Sequence, residues 1–184
     1  MLTLTFLVKT VIDLYVIVLL LRTWMRWIQI DCYNPVSQFV IKISQPMLAP
    51  FRCIIPSRGL IDSPALLLAF LLMTIKYQLL LVIQGGTISL NIYNCLFGLI
   101  SLVKSSGYLI FCVMLARGLM SWISHDQSPI DYVIYQLTES LMVQIRRVIP
   151  GMGSITFSTM VVILMLYLLN CLGIDLLGEL WFLL

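Results

Sequence analysis

Four ionisable side chains stand inside stretches otherwise almost wholly apolar: Lys9, Asp13, Lys76 and Lys104. In hydrocarbon each costs about 2.5 kcal/mol or more, so each demands a partner, a wet cavity or an escape to the interface. Lys9 and Asp13 are one helical turn apart, so Asp13 can pair with Lys9 or, across a helix interface, with Lys76. One acid for three lysines leaves positive charge over. An anionic lipid, a permeating anion or a neutralised lysine would resolve it. The plainer expectation is a structural ion pair, with the remaining lysines snorkelling.

A second basic set lies where apolar runs end. Arg22 and Arg117 close two such runs, while Arg52, Arg146 and Arg147 flank proline turns. At an anionic leaflet such residues can grip lipid phosphates or an acidic partner, at about 1 kcal/mol per basic residue. They would equally set topology and depth alone. The turn residues Pro56, Gly59, Pro150 and Gly153 carry a structural expectation, because proline breaks a helix and glycine permits the turn.

Enzyme chemistry finds little footing. His125 is the single histidine, and the five cysteines are odd in number with no C-x-x-C pair. There is no Ser-His-Asp set, Walker loop or G-x-G-x-x-G. The expectation is a protein that is not an enzyme, with no cofactor and no metal. A net charge of +3 gives no footprint for nucleic acid.

The elements that must hold these residues follow from composition. Apolar residues make up 61% and charged residues 10% of the 184, with a mean hydropathy of +1.05. That balance is foreign to soluble domains, at about 45–50% and 25%. The first span covers about 3–28, and reads as retained rather than as a signal peptide because it runs on into Arg22 and Trp24. Trp24 and Trp27 fall where an interfacial aromatic belt is expected. Further spans are expected at about 62–84, 90–122 and 157–174, each near the ~20 residues that a bilayer core requires or longer.

Between spans lie two amphipathic helices, expected at 35–45 and 129–145. Asn34-Pro35 and Ser128-Pro129 each read as an N-cap followed by proline in the first turn. Val36, Phe39, Val40, Ile43 and Met47 recur 94 positions later as Ile130, Val133, Ile134, Leu137 and Leu141. Pro46 and Pro50 are expected to end or kink the first helix.

The turns repeat too. FRCIIPSRGLI (51–61) and IRRVIPGMGSI (145–155) share Arg, two residues, Ile-Pro, two residues, Gly, one residue, Ile. The fold expected is therefore an all-α membrane protein of four transmembrane helices. It is built as two parallel repeats (1–84 and 85–184) of span, interfacial helix, Ile-Pro turn and span. Eight of the eleven Lys and Arg residues fall between spans one and two or three and four, or at the span ends that adjoin those segments. The positive-inside rule then places the amphipathic loops in the cytoplasm and both termini outside.

This doubled pattern resembles the YggT (YlmG-like) family, and the resemblance covers essentially the whole chain. It rests on R-x-x-x-x-W at a span end (RTWMRW, RGLMSW), N/S-P opening the amphipathic helix, and R-x-x-I-P-x-x-G-x-I before the next span. The resemblance implies a small multi-pass protein of the bacterial cytoplasmic membrane. Bacterial members are linked to hyperosmotic tolerance and to the neighbourhood of cell-division genes. Plastid relatives are linked to nucleoid distribution and to haem attachment on cytochrome b6, a role for which the single histidine here offers little. The acidic-Pro pair common at the end of the family's interfacial helix is halved here, as Gln45-Pro46 and Glu139-Ser140.

Together these readings lead to a non-enzymatic scaffold or assembly factor. Its basic amphipathic helices would meet anionic lipid, a membrane-protein partner or a second copy of the chain. The alternative is a small transporter or channel for ions or osmolytes using Lys9, Asp13, Lys76 and Lys104.

Overall fold

The computed structural model describes residues 2–30, 33–54, 62–83, 92–123, 129–148, 155–178 and 181. Those residues form six helices: α1 Leu2–Ile28, α2 Pro35–Ile54, α3 Ser63–Ile83, α4 Ile92–Ile123, α5 Pro129–Val148 and α6 Ile155–Leu177. Four of them, α1, α3, α4 and α6, are long and apolar enough to cross a membrane. Their apolar residues run round the whole helix circumference, which only a lipid-facing bundle makes favourable. This is an all-helical, multi-pass membrane protein. At 32 residues α4 is about 48 Å long, so it tilts or projects beyond a ~30 Å hydrocarbon core.

Helix α1 is the hub. It packs on α3 most extensively, and also on α2, α4 and α5, while α6 rests on α4. Val16, Leu19, Leu48, Ala69 and Met73 bury one core between α1, α2 and α3. Trp24, Val40, Leu109, Val133 and Leu137 bury a second between α1, α2, α4 and α5. Trp24 is thus a core residue rather than part of an aromatic belt, and only Trp27 faces outward. One indole is turned inward because α2 and α5 both cross α1 at that level.

Local signals set the ends. At the close of α1, Gln29 takes φ 60° and Ile30 N–H donates to the Met25 carbonyl at 3.1 Å, a Schellman-type cap completed by buried Ile30. Asn34 caps α2, its Oδ1 accepting from Val36 N–H at 3.1 Å. The same side chain donates through Nδ2 to the Pro129 carbonyl at 3.0 Å, tying the start of α2 to that of α5.

The helix expected at 35–45 continues through Pro46 and Pro50 to Ile54. Both prolines lie on the exposed side, so the carbonyls they leave unpaired, at Lys42 and Pro46, also belong to exposed residues. Carbonyls on an exposed face can be satisfied by water, whereas hydrocarbon could not satisfy them. Helix α5 likewise extends past 145 to Val148. The apolar stripe of α2 is divided: Val40 and Leu48 pack inward, while Phe39, Ile43 and Met47 stay exposed.

Contact between α3 and α4 depends on one small residue. A Cβ at Gly98 would collide with Thr74 Oγ1 and stand 3.3 Å from the Thr74 backbone nitrogen. Tyr77 and Phe97 stack beside it with ring centroids 5.2 Å apart.

Candidate functional site

Two charged sites emerge, at different depths. The first joins α1, α2 and the head of α3. Asp62 immediately precedes α3, and its carbonyl accepts from Ala65 N–H at 3.0 Å and Leu66 N–H at 3.2 Å. Its backbone therefore starts the helix while its carboxylate is free for other partners. Arginines supply them. Arg22 Nε lies 3.1 Å from Oδ2, Arg26 Nη1 3.0 Å from Oδ1, and Arg52 Nη2 4.0 Å from Oδ2.

These three contacts differ in kind. Asp62 is 1% exposed and Arg22 is buried with it. Arg22 also donates to Ser44 Oγ and to the Ile41 carbonyl at 3.5 Å, so its guanidinium is spent on α2 and α3. The expectation that Arg22 contacts lipid is corrected accordingly: its helix face is covered by α2. Arg26 and Arg52 keep 34% and 38% of their side chains exposed. The Arg26 contact is an ion pair without hydrogen-bond alignment, and Asp62 Oδ1 has no hydrogen bond among the described residues. One carboxylate thus faces three guanidinium groups, leaving two positive charges over.

The second site is inside the bundle. Lys76 of α3 donates from Nζ to Asp13 Oδ1 of α1 at 2.7 Å, so Asp13 pairs with Lys76 rather than with Lys9. Lys76 is 3% exposed and Asp13 about a third. Lys104 Nζ donates to the Trp181 carbonyl at 2.6 Å and sits 5.0 Å from the centroid of the Trp181 ring. Lys9 and Asp13 of α1, Lys76 of α3 and Lys104 of α4 thus stand on three helices that pack against one another.

Trp181 gets there by a turn. Gly178, at φ 56°, ends α6 and reverses the chain, and the Trp181 ring lies back over Gly173 with Nε1 donating to Asn170 Oδ1 at 2.8 Å.

The model of the CCB3/YggT family matches residues 1–84 and 96–177. The chain belongs to the CCB3/YggT family. Among its relatives, the Escherichia coli K12 protein described as uncharacterized protein YggT is 47% identical over 168 residues, covering 91% of this chain and 87% of that one. A Vibrio alginolyticus protein described by its place in the proC 3′ region is 42% identical over 181 residues, covering 98% of both chains. An uncharacterized Haemophilus influenzae protein is 40% identical over 174 residues, covering 95% of this chain and 93% of its own. No solved structure matches.

In this YggT-family chain the remaining expected site residues fall as follows. Arg117 lies over the Tyr135 ring at 4.8 Å, joining α4 to α5 by a cation–π contact. Arg146 and Arg147 belong to the last turn of α5, with side chains outside the described residues. Pro56, Gly59, Pro150, Gly153 and His125 also lie outside them.

Asp62 is the residue that sequence reasoning passed over. A signal was there, because it is the sole acid between Cys32 and His125 and stands at the arginine-rich end of a span. At the repeat displacement of 94, threonine (Thr156) takes its place. Looking for what the two copies share therefore hid it.

Proposed function

We propose that this protein is a non-enzymatic scaffold or assembly factor of the bacterial cytoplasmic membrane. In this reading the amphipathic helices α2 and α5 lie on the cytoplasmic face and both termini lie outside. The helices present basic residues to anionic lipid or to a membrane-protein partner, and the protein contributes to osmotic-stress tolerance or to envelope and division processes.

The observation that carries the reading is the attachment of α2 to the ends of two spans by Arg22, Arg26 and Arg52 around Asp62. A helix held that way keeps a fixed height and rotation, which a docking platform needs and a freely floating amphipathic segment lacks. The excess charge on it suits an anionic leaflet.

Complementation tests this reading. In a strain deleted for its own family member, Arg52→Glu with Arg146→Glu should abolish growth at high osmolarity while immunoblots show normal membrane levels. Unchanged tolerance at normal levels would reject it. Sidedness is read by labelling single cysteines placed at Lys42 and Leu4 with an impermeant maleimide in intact cells; labelling at position 42 alone would reverse the orientation.

A second reading is favoured by one observation, the Lys76–Asp13 pair between spans, with Lys9 and Lys104 on the same three packed helices. It is transport of ions or osmolytes. Liposome flux under an ionic or osmotic gradient that vanishes in Lys76→Met would replace the scaffold reading with this one.

A further inference from the structure

The surplus of guanidinium over carboxylate at Asp62 has a chemical consequence. Arg22 is satisfied within the protein by Asp62, Ser44 and the Ile41 carbonyl. Arg26 and Arg52 have no such hydrogen bond among the described residues. They approach the two oxygens of one carboxylate from different helices, at 3.0 Å and 4.0 Å, and neither makes a hydrogen bond with it. An arginine carries five N–H donors in a planar fork that suits an oxyanion. Two half-exposed forks thus share one anchor, with most of their donors unused among the described residues. Asp62 is enclosed, and the hydrogen bond that its Oδ2 accepts from Arg22 Nε at 3.1 Å holds the carboxylate in place.

Two like charges held together at a boundary of low dielectric repel, and one monoanion between them relieves that repulsion. We propose that Arg26 and Arg52 form a phosphate-binding site, with Asp62 as the anchor that holds the two guanidinium groups side by side. The ligand chemistry is a phosphate oxyanion with at least two free oxygens, one for each fork. Either the phosphodiester of an anionic phospholipid headgroup or free phosphate supplies it. The proposal deepens the docking reading above by naming the residues and the ligand group. It excludes the second repeat from this role, since serine (Ser121) and threonine (Thr156) stand where Arg26 and Asp62 would be.

The test uses the full chain purified in dodecyl maltoside. Native mass spectrometry with added phosphatidylglycerol or phosphatidylcholine reads the lipid arm, and calorimetry with inorganic phosphate reads the soluble arm. Phosphatidylglycerol should be retained by the wild type in preference to phosphatidylcholine. Arg26→Gln with Arg52→Gln should weaken that retention about tenfold or more, as losing charge-assisted hydrogen bonds requires, and Lys42→Gln should leave it unchanged. Binding of inorganic phosphate that displaces the lipid would assign the site to free phosphate as well; lipid retention without it would assign the headgroup.

A measurement without mutation guards against misfolding. Phenylglyoxal modification of Arg26 and Arg52, mapped by peptide mass spectrometry, should fall when phosphatidylglycerol or phosphate is added. Equal modification with and without either ligand overturns the proposal, as does equal lipid retention by a folded double variant. Loss of binding with intact osmotic growth would uphold the site and reject the stress role.

Discussion

Lys76 Nζ and Asp13 Oδ1 meet at 2.7 Å between α3 and α1, with the ammonium enclosed and the carboxylate about one-third exposed. The pair lies on the most extensive helix contact in the bundle. Removing the carboxylate takes the counter-charge from an enclosed ammonium, whereas removing both restores an apolar seam.

Asp13→Asn should therefore destabilise the protein by about 1–3 kcal/mol, since the enclosed ammonium loses a charge-assisted hydrogen bond. The double variant Asp13→Leu with Lys76→Met should recover most of that loss. Unfolding in detergent followed by tryptophan fluorescence measures both. Additive losses would show that the two residues are not a pair.

Asp62 anchors three arginines, so Asp62→Asn should release the C-terminal half of α2. Trypsin should then cut at Arg52 faster, and stability should fall by roughly 3–5 kcal/mol. An unchanged digestion pattern would mean that apolar packing at Leu48 alone holds α2 in place.

Gly98 and Gly107 lie in the same helix and should behave oppositely. Gly98→Leu must push α4 away from Thr74, at about 1–3 kcal/mol, and separate the stacked Tyr77 and Phe97 rings. A Cβ at Gly107 meets nothing within 4 Å, so Gly107→Ala should stabilise by about 0.5–1 kcal/mol. Thermal midpoints of the two variants that shift in the same direction would contradict this account of the contact.

A Cβ at Gly173 would stand 2.6 Å from the Trp181 ring, so Gly173→Leu should expel the indole and uncover Lys104. In a background where Trp181 is the single tryptophan, acrylamide should then quench its fluorescence more strongly.

Much of this architecture could be read from residues alone. Spans were legible because apolar runs of membrane length have few other uses, and helices α2 and α5 because their apolar positions recur at helical spacing. Asn34 was legible as a cap, since an Asn-Pro step before such a run has a local mechanism. Pro46 and Pro50 misled, because proline chemistry says what is lost from a helix and not which side faces water. Trp24 misled likewise: an indole near a span end suits the interface unless two other helices cross there.

The sequence by itself determined that the chain enters the membrane, where its helices fall, and which end of each span carries positive charge. Those properties depend on composition and on periods within one segment. Tertiary structure alone decided that Asp13 takes Lys76 over Lys9, that Arg22 turns inward, and that Asp62 gathers three guanidinium groups. Each of these depends on the rotation and crossing of helices far apart in the chain. A side chain's partner is chosen by which face two such helices present to each other, and no period within either one encodes it.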